Sequence, residues 1–87
     1  MVESLKKDYI VLTEIFLEVA ADIRADMSVL ELENRAPAEI AEDRREVNTL
    51  EKEYMLVVDT DKAKAVDKIE RIYELAKKYD DIRMANI

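Results

Sequence analysis

Residues 9–23 read YIVLTEIFLEVAADI, and this stretch decides the fold. At about 100° per residue its apolar side chains cover most of a helical circumference, leaving a narrow polar strip carried by Glu14, Glu18 and Asp22. A helix with so wide an apolar arc needs neighbours on two sides. The period runs on in both directions: Leu5, Tyr9, Leu12, Phe16, Val19, Ile23, Met27 and Leu30 recur at steps of three and four, which predicts a first helix over about residues 3–33. Residues 9–12 and 28–32 have strand-like composition, but they lie inside the helical pattern with no turn residue to set them apart.

The firm punctuation follows at once. Asn34 suits a left-handed helix stop, and Pro37 suits the first turn of a new helix while forbidding its extension backwards. A second helix is predicted over about residues 37–58, carried by Ile40, Val47, Leu50, Tyr54 and Val57 or Val58, with Glu39, Glu42 and Asp43 near its positive N-terminal end. Asp59-Thr60-Asp61 supplies capping side chains for a third helix over about residues 61–80, marked by Val66, Ile69, Ile72, Tyr73, Ala76 and Tyr79. A break at Thr60 is the first expectation. Because neither Gly nor Pro intervenes, helices two and three joined into one kinked rod is the alternative. Beyond the third helix, Ile82, Met84 and Ile87 are apolar and could pack, extend the helix or fray.

The whole chain, residues 1–87, is expected to form one all-α domain: an antiparallel three-helix bundle with a long first helix. A chain this short buries only roughly 60% of its unfolded surface, and oligomerisation is a common remedy. The expected assembly is a homodimer whose interface is drawn from Tyr9, Leu12, Ile15, Phe16, Leu17, Val19 and Ile23. There is no Cys and no His, which excludes disulfides, zinc sites of the Cys/His type, haem ligation by His, and the Ser-His and Cys-His catalytic pairs. Gly is absent as well, so phosphate-cradling loops are not expected. The net charge of −7 arises in the first two thirds, because residues 59–87 hold seven acids and seven bases. Without a basic footprint, neither nucleic acid nor an anionic membrane is an expected partner. No apolar run approaches 18 residues and no signal peptide is visible, so a cytoplasmic protein is expected.

One charge pattern calls for compensation. Glu14, Glu18, Asp22 and Asp26 repeat every four residues, and such like-charged pairs destabilise a helix by a few tenths of a kcal/mol each. Lys64, Lys68, Arg71 and Lys78 form a basic stripe on the third helix that would match the acidic ridge if the two lay side by side. A carboxylate metal site is disfavoured, since the ridge points away from the apolar stripe and no His accompanies it. No cofactor is expected. An acidic inhibitor or decoy for a basic protein surface is a further alternative. Tyr9, Tyr54, Tyr73 and Tyr79 follow the helical stripes and are expected at the core edge with hydroxyls in water. Met27, Met55 and Met84 are expected to fill gaps.

Lys7, Arg24 and Arg35 are spaced along and just beyond the first helix, and Arg45-Glu46 stands on the second. In these residues and in helical outline the chain resembles the all-helical chorismate mutases. That resemblance implies an intertwined dimer in which the cations hold a dianionic substrate and stabilise an ether oxygen in the transition state. It makes an enzyme with Lys7, Arg24, Arg35, Arg45 and Glu46 at its site the alternative to the first expectation, a non-enzymatic interaction or scaffold module. The absence of Gly, Cys, His, Trp and Gln also suits a designed bundle.

Overall fold

The computed structural model describes the backbone of residues 2–85 and the side chains of residues 9–85. Leu5 and Lys7, as side chains, and Ile87 therefore lie outside the described residues. The described chain forms three helices and no strand: α1 (Val2–Leu32), α2 (Ile40–Val57) and α3 (Lys62–Met84).

The end of α1 follows from Asn34, whose φ of 56° places it in the left-handed region. There the Arg35 amide reaches back to the Leu30 carbonyl at 2.8 Å and the Asn34 amide to that of Glu31 at 3.2 Å. This pair of bonds satisfies carbonyls that the finished helix would orphan. α2 begins later than the expected residue 37. The Pro37 carbonyl accepts only a tight turn bond from the Ile40 amide at 3.1 Å, and the first helical bond is that from the Asp43 amide to the Glu39 carbonyl at 2.9 Å. Pro37 thus opens a turn ahead of the helix.

The kinked-rod alternative is overturned. The amides of Thr60 and Asp61 both fold back onto the Val57 carbonyl, and Asp61 is extended, with φ −144° and ψ 92°. Its carboxylate accepts the Lys64 amide at 3.1 Å, so Asp61 caps α3 as a capping residue should. α3 runs to Met84, four residues past the expected end. Ile82 packs on the core, and Arg83 reaches Asp26 of α1 at 2.7 Å, which holds the last turn in place.

Bonds between α1 and α2 join Thr13 to Tyr54, Arg24 to Asn48 and Glu51, and Glu31 to Arg44, so partners descend along α2 as they climb α1. The wide apolar arc of α1 finds its two neighbours inside the chain: it packs most extensively on α3 and less on α2. Phe16, Ile23, Met27 and Leu30 meet Val47, Leu50 and Tyr54 of α2 and Ile72, Leu75 and Tyr79 of α3 in one core. Full burial of each such side chain contributes about 1.5–3 kcal/mol. The Phe16 and Tyr54 rings stack 4.4 Å apart and 7° from parallel, tying α1 to α2. No helix among the described residues is long and apolar enough to cross a membrane.

Candidate functional site

The polar chemistry of the chain is concentrated between α2 and α3. Asp43 follows the spacing of Val47, Leu50 and Tyr54 and is therefore carried into the core; it is the one charged residue among the described buried set. The Tyr79 hydroxyl and the Lys78 ammonium each donate to its Oδ2 at 2.6 Å, and Lys78 also reaches Glu39 at 2.9 Å. Burial pushes the Asp43 carboxyl upward, but the bonds from Lys78 and Tyr79 outweigh it and hold the group below the usual carboxylate range. Burial and the bond to Asp43 push the Tyr79 phenol well above its usual range, and the same bond raises Lys78. Beside this cluster, Arg71 forks onto both oxygens of Glu46 and onto Glu74 at 2.9 Å. Every buried side-chain polar atom among the described residues has a partner, so this seam is a completed structural network.

Two expectations are corrected here. The basic stripe turns toward α2: Lys68 pairs with Glu53, Arg71 with Glu46 and Lys78 with Glu39 and Asp43, while Lys64 approaches its own cap residue Asp61 at 4.0 Å. Of the acidic ridge only Asp26 forms an ion pair with α3 among the described residues, through Arg83. Glu14, Glu18 and Asp22 are exposed and make no ion pair with any described residue. The tyrosines divide likewise. Tyr9 and Tyr73 keep the expected edge positions, but Tyr54 and Tyr79 are fully buried, with hydroxyls bonded to Thr13 and Asp43.

Among the described residues, the cations of the enzyme alternative do not converge. Arg24 is bound to Asn48 at 2.9 Å and to Glu51 on the α1–α2 side. Arg35 holds Glu33 at 2.8 Å and the carbonyls of Ile82 and Arg83 at 2.8 and 3.0 Å at the opposite end of the sequence. Arg45 stands exposed on α2, and its neighbour Glu46 is held by Arg71. Among the described residues no group of three carboxylates gathers as a metal site would require.

The expected interface residues are spread between the inside and the outside of the chain. Phe16 and Ile23 are fully buried in the intrachain core, Tyr9, Leu12, Ile15 and Val19 are half-buried, and Leu17 is 41% exposed. Leu17 lines an open groove of about 630 Å³ between α1 and α2 with Glu51, Lys52, Met55 and Leu56. Ile10, two turns before Leu17 on the same edge of α1, is 57% exposed, and across the groove Met55 and Leu56 are 52% and 75% exposed. Met55 therefore fills no core gap. A second groove, between α1 and α3, is more polar: Val19, Ala76 and Tyr73 are bordered there by Asp22, Lys77 and Asp80. The lining of the α1–α2 groove is mostly apolar, whereas that of the α1–α3 groove is divided between polar and apolar surface, and apolar surface gathered in one place marks an interaction site better than scattered residues do. No protein-family model, curated protein or solved structure matches the chain.

Proposed function

We propose that the chain is a non-enzymatic interaction module, an antiparallel three-helix bundle that self-associates as a dimer through the outer edge of α1 and the adjoining face of α2. The observation that carries this reading is the exposed aliphatic groove of Leu17, Met55 and Leu56, extended along α1 by Ile10. Leaving such residues in water forfeits the burial that stabilises a small domain, and a second protein surface restores it. The polar side chains support the same reading, because Arg24 and Arg35 of the enzyme alternative are taken up in structural bonds, the first to α2 and the second from the first loop to the end of α3.

Light scattering on the unmodified protein at micromolar concentration should give twice the mass of one chain, and Leu17→Glu should shift it to one. A monodisperse monomer before substitution would refute self-association. Loss of chorismate absorbance catalysed by the protein, and abolished in both Arg24→Ala and Arg45→Ala, would replace this reading with the enzyme.

A further inference from the structure

We infer that the partner in the α1–α2 groove is the same groove of a second copy, docked about a twofold axis that runs along it, so that α1 of each chain lies on α2 of the other. This inference rests on self-association and specifies its geometry. The two sides of the groove differ in charge. Leu17 is the α1 residue that lines it, and beside Leu17, on the side of α1 turned away from Thr13 and Arg24, Glu14 and Glu18 are exposed and make no ion pair with any described residue; on α2, Lys52 lines the groove and makes none either. Glu51, the remaining charged residue of the groove, is already held by Arg24.

A twofold contact places the same patch on both chains, and docking with the two grooves aligned leaves two directions for its axis. An axis across the groove sets α1 on α1, and the acidic rims of the two chains then oppose each other. An axis along the groove exchanges the walls and preserves height. The bonds of Thr13 to Tyr54 and of Arg24 to Glu51 bracket Leu17 and Lys52 at one level, so Glu14 and Glu18 of each copy then come opposite Lys52 of the other. Charge complementarity selects this second arrangement, acting on register and partner choice while the aliphatic contact supplies most of the affinity. It also completes a four-helix arrangement at the groove, with Ile10 and Leu17 seven residues apart on one wall and Met55 and Leu56 on the other.

The chain has no Cys, so single thiols can report the geometry. Leu17→Cys and Met55→Cys chains, distinguished by a mass tag, are mixed and mildly oxidised. Disulfides should form mainly between the two variants. Lys52→Glu should weaken the dimer about tenfold, and Glu14→Lys with Glu18→Lys in the same chain should recover most of that loss. A dimer that links Leu17→Cys mainly to itself, or whose dissociation constant ignores the Lys52 substitution, would overturn this docking while leaving self-association intact. A monomeric unmodified protein would overturn both.

Discussion

The α2–α3 seam and the α1–α2 seam are built from the same kinds of residue and finished to different degrees. Between α2 and α3, a buried carboxylate takes two short bonds, and three bases of α3 find acids on α2. Between α1 and α2, a stacked aromatic pair and the bonds of Thr13 and Arg24 close the inner side, while Leu17, Met55 and Leu56 line an open outer one. The contrast teaches where in such a bundle to look for interaction. The polar network is saturated and speaks only to its own fold, whereas the simpler apolar seam has surface left over.

The largest effect is expected from removing the aromatic pair that ties α1 to α2. Phe16→Ala should cost about 3–5 kcal/mol in urea unfolding, since the fully buried ring joins α1 to Tyr54 and its loss leaves a cavity. A loss below 1 kcal/mol would mean that α1 and α2 are held together elsewhere.

Next in size is Asp43→Ala, which leaves the buried Tyr79 hydroxyl and Lys78 without their acceptor and should cost on the order of 1–3 kcal/mol. The same group gives the seam a pH dependence. Its pKa is lower in the fold than in the unfolded chain, so its contribution is present above the ordinary carboxylate range and is lost as pH falls from about 4 through the folded value. Glu39 and Glu46 are lowered too, through Lys78 and Arg71, and add to that acid loss. Asp43→Asn should therefore flatten the acid limb in part, read as urea midpoints between pH 2.5 and 6. An unchanged slope would remove Asp43 from the balance.

Smaller effects sharpen which helices the charges join. Reversing Lys68 and Arg71 to Glu should weaken the fold by roughly 0–1 kcal/mol per pair, these being half-exposed ion pairs. Glu53→Lys with Glu46→Lys should restore much of it, and Glu14→Lys with Glu18→Lys should restore none. Rescue by the α1 substitutions would show that the basic stripe faces α1 after all. Smallest of all, Glu18→Ala should leave stability within a few tenths of a kcal/mol or raise it slightly, because it relieves like charge on an exposed face. A loss above 1 kcal/mol would give Glu18 a partner within the fold.

Local pattern carried the three helices, the left-handed stop at Asn34 and a cap within residues 59–61, because each rests on local spacing or a local backbone preference. What it could not carry is sidedness. The spacing of Lys68, Arg71 and Lys78 establishes a basic stripe, but which neighbour receives it depends on how the bundle winds, a tertiary property. The same holds for Phe16 and Leu17: both belong to one wide arc, and only the placement of α2 and α3 turns the first inward and leaves the second in water. Asp43 was open to detection, since an acid four residues before Val47 on the stripe of Leu50 and Tyr54 stands where a core residue is due. Its place near the helix start offered a simpler local account that hid the burial. Arg35 gave no such signal, because its acceptors are backbone carbonyls 47 and 48 residues away.

Those two bonds have a consequence for how the molecule opens. The carbonyls of Ile82 and Arg83 belong to the last turn of α3, where a helix has no N–H donors left for its carbonyls, and the guanidinium that answers them comes from the first loop. A helix end stabilised by its own sequence frays by itself, on its own timescale. Here the last turn of α3 detaches only by breaking with the α1–α2 connection, so amide exchange there should be slower than in a helix end that frays by itself. The first loop and the end of α3 are thereby made one cooperative unit.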